Sequence, residues 1–436
     1  MTLSRRRFFA IAGVTTATVV VASPLKALCS RLKSGKSIVT EGFGPLQKDP
    51  QKILNLPPGF QYRILSKTGQ KMSDGNPVPE DPDGMTTFPG ENGTTIIVRN
   101  HEVSPHQPMG VRANVADKYD PWGQGGTTTL ILNSDRQVIK QFVSLAGTSR
   151  NCAGGPTPWG SWISCEEDIS TPATTRNKPA NAKVARKHGY NFEVPARLET
   201  LATPTPLVAM GRFNHEAIAV DPENGYVYQT EDRNDGCFYR FRPQEKGNLQ
   251  AGGILEALVI KGKPKINTST GFPIDVPQAV EWVKIDDIDP QQDTLRYEAQ
   301  RKGAAIFKRG EGMCYSNGAV YFTCTNGGDA LKGQVFRHTP RTEKIELFVE
   351  SPGGEVLDHP DNLVMSPFGD LIVCEDGYKE QFLVGITPQG QYYKFASNAL
   401  NFGEFSGACF SPDGETLFVN IQKPGITFAI WGPWGN

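Results

Sequence analysis

Six stretches of the chain repeat one pattern, and this repetition limits the possible folds more than any other feature of the sequence. In each stretch a polar residue, usually acidic, precedes a short apolar run, a Pro/Gly turn follows, and a second apolar run ends in acidic or amide residues. Two such runs around a tight turn predict a β-hairpin. The six hairpins span residues 83–102, 152–168, 216–232, 311–325, 361–376 and 406–422.

Further strand-like runs follow several hairpins, at 237–241, 334–338 and 382–386. A hairpin with outer strands, repeated six times, predicts an all-β fold, a six-bladed β-propeller with long loop insertions. A β-sandwich built of hairpins is the alternative, but the spacing of the units, roughly 45 to 95 residues, leaves room for four-stranded blades. Segments 169–210 and 243–307 are the expected insertions, lying as long loops over one face of a single domain at 40–436.

Residues 1–28 are predicted to be a twin-arginine signal peptide. Arg5, Arg6 and Arg7 precede a mildly apolar run at 10–22 that is too short and too rich in alanine and threonine to span a bilayer stably. A basic N terminus that arose by chance is the alternative. We expect the twin-arginine export machinery to carry the folded chain, without a stable membrane anchor, to the periplasm or the extracellular space. Export in the folded state suits a cofactor loaded in the cytoplasm.

The balance of charge excludes several classes of partner. The chain has 45 Lys and Arg against 46 Asp and Glu, so it has no net basic field to hold nucleic acid or an anionic bilayer. Small molecules and ions are the expected partners. A monomer is also expected, because a closed propeller has no exposed sheet edge to pair with another chain.

Aligning the hairpins on their turns gives a first column of residues at the start of the inner strand, which a propeller would arrange as a ring around its axis. A second column closes the following strand, and acidic pairs recur in it. The first column consists of Asp83, Cys152, Glu216, Glu311, Asp361 and Ser406. The second consists of His101-Glu102, Glu166-Glu167, Glu231-Asp232, Thr325-Asn326, Glu375-Asp376 and Asn420.

Carboxylates crowded near a closed axis would repel one another unless cations neutralise them, so the two columns predict bound metal. Oxygen ligands in this number favour Ca²⁺ or ferric iron over zinc, and a single thiolate indicates a transition metal at one place. Any one acidic residue at a strand end is more often a solvated turn residue, and the prediction therefore depends on the column as a whole.

Four residues near these columns need separate treatment. Cys152 has polar or very small neighbours, unlike Cys165 in its apolar run, and is expected to be a ligand rather than a packed core thiol. His215, like His101, precedes a glutamate and is expected either to orient it or to contact substrate. Arg309 precedes Glu311 by two residues, where it would bind an oxyanion or phosphate, or neutralise a neighbouring carboxylate.

Motifs of other enzyme classes are absent from the sequence. It contains no G-x-S-x-G, no H-E-x-x-H and no G-x-x-x-x-G-K-[ST] motif. A serine nucleophile is therefore unsupported.

The residues of the two columns carry a family resemblance, which runs from about residue 40 to the C terminus. Together with the twin-arginine start, the chain resembles the PhoX-type alkaline phosphatases. The segments that carry the resemblance are 150–167 (RNCAGGPTPWGSWISCEE), 214–217 (NHEA), 229–232 (QTED), 309–312 (RGEG) and 405–414 (FSGACFSPDG).

The resemblance implies a six-bladed propeller that hydrolyses phosphomonoesters at alkaline pH by attack of a metal-bound oxo or hydroxide group on phosphorus. It implies Fe(III) and Ca²⁺ as cofactors, and Arg309 as the residue that holds the phosphoryl oxygens. The implied iron ligands are Cys152, Glu167, Glu231 and Glu311. The residues implied for calcium or the outer part of the cluster are Glu102, Glu216, Asp232, Glu375 and Asp376.

Two other functions stay open at this point. One is a Ca²⁺-dependent propeller lactonase or esterase, which would need one metal and give Cys152 no role. The other is a non-catalytic, metal-stabilised propeller that binds protein or glycan through its loops. Fold analogy alone does not separate these functions, because propellers host many activities.

Overall fold

The computed structural model of the chain describes residues 38–435, so the predicted signal peptide at 1–28 lies outside the described residues. The described part contains 25 strands, one α-helix, α1 (Leu295–Arg301), and five short 3-10 turns. The turns are Glu91–Gly93, Val115–Asp117, Ala180–Ala182, Val208–Met210 and Pro340–Thr342. The strands are β1 (Leu54–Asn55), β2 (Gln61–Lys67), β3 (Pro82–Pro89), β4 (Thr95–His101), β5 (Gly125–Leu132), β6 (Val138–Thr148), β7 (Asn151–Pro156), β8 (Ser161–Glu166), β9 (Asn191–Pro195), β10 (His215–Val220), β11 (Val227–Glu231), β12 (Phe238–Glu245), β13 (Asn248–Ile260), β14 (Gln278–Lys284), β15 (Gly310–Ser316), β16 (Ala319–Cys324), β17 (Gln334–Thr339), β18 (Lys344–Glu350), β19 (Pro360–Met365), β20 (Leu371–Glu375), β21 (Phe382–Ile386), β22 (Tyr392–Asn398), β23 (Phe405–Phe410), β24 (Thr416–Ile421) and β25 (Ile426–Trp431).

Each predicted hairpin forms, and the first strands of the six hairpins surround a common axis. In chain order these inner strands are β3, β7, β10, β15, β19 and β23, and we number the hairpins as units one to six accordingly. Each inner strand lies beside the next, and β23 lies beside β3. The arrangement is therefore all-β and propeller-like, with the inner strands in a closed ring.

The prediction of six separate blades is wrong, because the strands form five sheets rather than six. Four sheets are separate and one has nine strands, in the order β10-β11-β12-β13-β14-β18-β17-β16-β15. The outer strands β14 and β18 join two units through the pairs Gln278↔Ile345 and Ala279↔Lys344. The two edges of this sheet, β10 and β15, lie side by side, so the sheet nearly closes on itself. The join gives the backbone groups at the edge of β14 hydrogen-bonding partners that an isolated blade would leave to solvent.

The two predicted insertions also differ from expectation. Segment 169–210 contributes β9, the third strand of the sheet β7-β8-β9. Segment 243–307 was expected to be a loop, but it contains β13, β14 and helix α1.

Strands from the early and the late parts of the described residues meet in one sheet. Strand β2 pairs with β25, so the sheet of unit six contains both the early and the last strands. Between this sheet and that of unit five, Phe395 packs in one apolar cluster with Leu417 and Phe428. Burial of these side chains holds neighbouring sheets face to face.

The base of every hairpin repeats one backbone hydrogen bond. The amide that follows the second strand donates to a carbonyl just before the inner strand, at N···O distances of 2.9 to 3.2 Å. The donors, which we call the closing residues, are Glu102, Glu167, Asp232, Thr325, Asp376 and Gln422. The acceptors, which we call the rim residues, are Asp81, Arg150, Asn214, Arg309, His359 and Glu404.

A second shared feature follows two residues after each rim residue. The register of five hairpins shifts there, as at a β-bulge, for example between Pro82 and Met85 and between Gly310 and Met313. The hairpin of unit six shifts one residue later, after Ser406, which stays paired with Asn420. Because a bulge leaves residues out of the ladder and re-aims their side chains, it can turn the first column toward the axis.

The inner strands approach one another closely at glycines. A Cβ on Gly155 of β7 would lie 2.1 Å from the backbone oxygen of Ile218 on β10, and one on Gly312 of β15 would lie 2.6 Å from Cα of Asn362 on β19. Only a residue without a Cβ allows these strands to pack at this distance.

We predict that Gly155→Ala lowers the free energy of unfolding by about 1–3 kcal/mol, because the added methyl must push β7 away from β10. Urea denaturation followed by tryptophan fluorescence measures this loss. Gly435→Ala is the control, since a Cβ there meets no atom within 4 Å. Equal unfolding curves for the two variants would show that the close approach does not matter.

Candidate metal centre

Five of the six first-column residues meet at the axis in three overlapping groups. Within each group, one ligand atom from each residue lies within 4.8 Å of the others. The groups are Asp83, Glu102 and Cys152; Cys152, Glu167 and Glu216; and Glu216, Glu311 and Asp361. Ser406, the sixth residue of the column, donates its hydroxyl to the Pro82 carbonyl at 2.9 Å and belongs to none of the groups.

Glu216 provides the strongest test of whether this centre fits metal ions. Its side chain is fully buried, and within residues 38–435 neither carboxylate oxygen has a hydrogen-bond partner. Burial raises the pKa of Glu216 well above its usual range, and the nearby carboxylates of Glu311 and Glu167 raise it further. A buried carboxylate without partners is costly, and a bound cation removes that cost. The residues present therefore fit metal.

Other first-column carboxylates are also buried and have raised pKa values. Burial raises the pKa of Asp83 well above its usual range, and the carboxylate of Glu102 adds to this. Oδ1 of Asp83 is buried with no partner in the described part of the chain, while Oδ2 accepts a hydrogen bond from Gln422 at 2.9 Å. Burial likewise raises the pKa values of Glu311 and Asp361.

Cys152 is the one residue with a sulfur atom in the three groups. It is 8% exposed, and its Sγ lies 3.7 Å from Oδ2 of Asp83. Burial raises the pKa of the Cys152 thiol well above its usual range, and the surrounding carboxylates of Asp83 and Glu216 add to the rise. Without a cation this thiol stays protonated, and a metal is what would stabilise its thiolate.

Two arginines among the rim residues hold carboxylates of the centre. Nη2 of Arg150 lies 2.6 Å from Oε1 of Glu102 and 2.5 Å from Oε2 of Glu167. Arg309 forms a two-pronged pair with Asp232, in which both N···O distances are 2.9 Å, and its Nη2 lies 2.6 Å from Oε1 of Glu311. Such forked contacts fix the orientation of the carboxylates as well as offsetting their charge.

Two further rim residues are polar. Asn214 donates from Nδ2 to Oε1 of Glu167 at 2.9 Å. Nδ1 of His359 lies 2.7 Å from Oδ1 of Asp358, an oxygen that also pairs with Lys332 at 2.7 Å. These two units therefore carry a side-chain amide and an imidazole at the rim position that is arginine in units two and four.

The remaining side of the rim is acidic. Glu404 forms a hydrogen bond with Asp376, and burial together with this contact raises the pKa of Glu404 well above its usual range. Burial also raises the pKa of Asp81, which accepts a hydrogen bond from Gln107 at 2.7 Å. The rim is therefore basic on one side and acidic on the other.

Glu231, predicted as a ligand, is not brought together with the groups around Cys152. Its Oε2 accepts hydrogen bonds from the Tyr239 hydroxyl at 2.7 Å and the Cys237 amide at 3.1 Å, and Oε1 lies 3.5 Å from Nη1 of Arg296. Burial raises the pKa of Glu231 to about 7. These contacts link the end of β11 to β12 and, through Arg296, to helix α1.

Glu375 occupies the equivalent position in unit five. It accepts hydrogen bonds from the amides of Asp358 and Phe382 at 2.8 and 3.1 Å, and Lys394 lies 3.3 Å from it. Burial raises the pKa of Glu375 to about 7. Glu166 of unit two is bound in the same manner, by the amides of Ser149 and Gly189 and by His188. We call Glu166, Glu231 and Glu375 the anchor glutamates.

The two histidines of the sequence prediction lie away from the groups. His215 is fully buried, stacks on Phe213 with ring centroids 3.6 Å apart, and has Nε2 2.9 Å from the Gly211 carbonyl. Burial lowers its pKa to about 3. The ring of His101 is held between the Glu80 carbonyl and Thr128, both at 2.9 Å.

Sequence reasoning missed most of the rim. The available signal was position: Asp81, Arg150, Asn214, His359 and Glu404 each stand two residues before a first-column residue, as Arg309 does. Four rim residues share a left-handed backbone, with φ of 47° at Asp81 and Arg150, 51° at Arg309 and 54° at His359. Non-glycine residues in this conformation concentrate at functional sites.

Comparison with known proteins identifies relatives of this chain. The family described as "Alkaline phosphatase PhoX" matches residues 41–425. No curated protein matches the chain. In the described part of the chain, no helix combines the length and the apolar character needed to cross a membrane.

Solved structures share the fold. PhoX of Pseudomonas fluorescens in complex with vanadate, a transition state analogue, superposes with a TM-score of 0.69 at 19% identity, covering 91% of this chain and 98% of that chain. A gluconolactonase from Xanthomonas campestris has a TM-score of 0.43 at 10% identity, covering 89% of this chain and 98% of that chain. The first similarity shows that this chain has the PhoX fold.

We predict that Glu216→Gln weakens metal binding and that Glu231→Gln does not. The carboxylate of Glu216 has no hydrogen-bond partner in the described residues and is available only to a cation. The Glu216 variant should therefore bind metal roughly tenfold or more weakly. Glu231 has partners that do not belong to the three groups, so its variant should keep its metal and lose about 1–3 kcal/mol of stability. Elemental analysis of both purified variants gives the first quantity, and urea denaturation gives the second. Equal metal loss in both variants would instead make Glu231 a ligand.

We also predict that chelator-treated protein loses stability as the pH rises from about 5 to about 8. The folded-state pKa values of Asp83, Glu216 and Glu311 lie above their ordinary values, so the folded chain binds more protons than the unfolded chain. This stabilisation is complete at low pH and is lost as the pH rises through the folded-state pKa values.

Thermal unfolding across this pH range is the measurement. The melting temperature of chelator-treated protein should fall more steeply than that of metal-replete protein, and Glu216→Gln should flatten the fall. A chelated protein that becomes more stable toward pH 8 would contradict the prediction.

Proposed function

This chain belongs to the alkaline phosphatase PhoX family, and from that premise we propose that the substrate's phosphoryl group binds beside Arg309, over the ring of buried carboxylates. The chain is a metal-dependent phosphatase that hydrolyses phosphomonoesters. The observation that carries the proposal is Glu216, whose buried and unpartnered carboxylate demands a cation, in a ring that Arg309 borders.

The groups differ in the metals that they suit. The two that include Cys152 combine a thiolate with carboxylates, which supports a transition metal such as Fe(III). Glu216, Glu311 and Asp361 offer oxygen alone, which supports a hard cation such as Ca²⁺ or Fe(III). When bound, such cations would supply a nucleophile of lowered pKa and offset the charge of the phosphoryl oxygens.

The chain's own residues orient this chemistry. Arg309 keeps the carboxylates of Asp232 and Glu311 in place and offers its guanidinium to the phosphoryl oxygens, which gain charge during transfer. Asn214 holds Glu167 from the adjacent unit. Because these groups are fixed by contacts within the fold, they are positioned before substrate arrives.

The other two functions considered from the sequence have less support. A lactonase with one calcium ion gives no role to Cys152, which takes part in two of the three groups. A binding propeller without turnover does not account for membership of a phosphatase family.

We further propose that the protein is exported by the twin-arginine machinery and acts as a monomer in the periplasm or outside the cell. Arg5, Arg6 and Arg7 before the apolar run at 10–22 support export. The net charge of −1 supports a small phosphate ester rather than nucleic acid as partner.

We predict that purified protein containing its metals hydrolyses p-nitrophenyl phosphate at neutral to alkaline pH, and that Cys152→Ala loses both activity and bound transition metal. The thiolate is the one sulfur ligand in the three groups, so its removal should lower turnover by roughly a hundredfold or more. Turnover and elemental analysis for Fe and Ca are measured on the same preparations.

Cys165→Ala is the matched control. Cys165 is also buried, on β8, but belongs to an apolar cluster and to none of the metal groups. Its variant should keep metal and activity. Calcium without a transition metal, together with no turnover in wild type, would refute the thiolate-anchored centre.

A further inference from the structure

Two arginines occupy equivalent positions on the rim of the metal centre. The carbonyl of Arg150 accepts the amide of Glu167, and the carbonyl of Arg309 accepts that of Thr325. Both residues have a left-handed backbone, with φ of 47° and 51°. Each stands two residues before a member of the ring, Cys152 or Glu311. The repeat therefore presents the two guanidinium groups from the same place in two different units.

The two guanidinium groups also use the same atoms. Nε and Nη2 of Arg150 contact Glu102, and Nη2 also contacts Glu167. Nε and Nη2 of Arg309 contact Asp232, and Nη2 also contacts Glu311. Nη1 of neither arginine takes part in a hydrogen bond with any residue of 38–435. The side chains are 38% and 30% exposed, so both retain donors that solvent or a ligand can reach.

The unit between the two arginines carries Glu216. Arg150 belongs to unit two, Arg309 to unit four, and Asn214 and Glu216 to unit three. Glu216 belongs both to the group that includes Cys152 and to the group that includes Glu311. A phosphoryl group held over Glu216 would therefore have one guanidinium on each side.

We propose that Arg150 is a second phosphoryl-binding residue, which acts with Arg309 as a two-sided clamp on the phosphomonoester dianion. This inference rests on the proposed function, because it assumes that phosphate binds over the ring. Each guanidinium keeps its Nη1 donors for a phosphoryl oxygen, and a monoester dianion presents three terminal oxygens to such donors whereas a diester presents two. The clamp thus selects monoesters over diesters.

A purely structural role for Arg150 makes different predictions. If the residue only offsets the charge of Glu102 and Glu167, its loss would alter metal content and would leave phosphate binding unchanged once metal is restored. If it binds phosphate, its loss would weaken phosphate binding at full metal content.

The experiment compares Arg150→Ala and Arg150→Lys with wild type and with Arg309→Ala, all in the metal-containing full chain. It measures KM and kcat for p-nitrophenyl phosphate, turnover of bis-p-nitrophenyl phosphate, competitive inhibition by inorganic phosphate, and metal content. Arg337→Lys is the control, since Arg337 is 36% exposed and pairs with Glu346 on the outer strands β17 and β18, away from the ring.

We expect Arg150→Ala to raise the inhibition constant of phosphate and the KM of the monoester roughly tenfold to a hundredfold. The effect on the diester should be smaller, and Arg150→Lys should be intermediate because lysine keeps the charge without the fork. Arg337→Lys should match wild type.

The outcomes separate this inference from the function that it rests on. Unchanged phosphate inhibition in both Arg150 variants, or a loss that disappears when metal is restored, overturns the clamp and leaves the phosphatase intact. If Arg150→Ala does not fold, Arg150→Lys decides the question by the same two criteria. A wild-type protein that neither turns over the monoester nor binds phosphate overturns both proposals.

Discussion

Burial of negative charge on a closed axis is the constraint on which the rest of the structure depends. The inner strands pack against one another at glycines such as Gly155 and Gly312, so the first-column side chains have little space except toward the axis. Five of the six are acidic residues or a cysteine, and burial raises their pKa values. Such a ring folds stably only if cations offset it, and the chain supplies some of these itself, through Arg150 and Arg309.

Strand alternation divides each acidic pair between two tasks. In a strand, successive side chains point to opposite sides, so the second residue of a pair faces the axis when the first faces outward. Glu167 and Asp232 accordingly contact the rim arginines, whereas their neighbours Glu166 and Glu231 turn away. The anchor glutamates accept hydrogen bonds from backbone amides and pair with His188, Arg296 and Lys394, which tie the outer segments to the hairpins. Each such pair thus supplies one side chain to the metal centre and one to the contacts that hold the outer segments against the hairpin.

The sequence predicted the hairpins and the first column because both depend on local pattern: each hairpin has its own turn, and each column residue lies at a fixed distance before it. The prediction of the second column was less accurate, because the residue that closes each hairpin depends on the register between its two strands. In unit four Gly310 pairs with Cys324, which makes Thr325 the closing residue instead of Asn326, and in unit six Gln422 closes the hairpin instead of Asn420. The join between β14 and β18 was not predictable in this way, because it pairs strands separated by about 60 residues through only two residues of each.

The six units share a backbone conformation but differ in the side chains of the rim. This difference makes the two sides of the mouth of the centre unlike in charge. Units two to five contribute Arg150, Asn214, Arg309 and His359, while units six and one contribute Glu404 and Asp81. An anion that approaches the mouth is therefore attracted toward one side and repelled from the other. The repeat fixes where each rim side chain begins, so a change of one rim residue alters the field at the mouth. At Arg150 and Arg309 it also alters the centre, because these two side chains hold carboxylates of the metal groups. Metal binding at the axis and selection at the rim are therefore coupled through these two arginines.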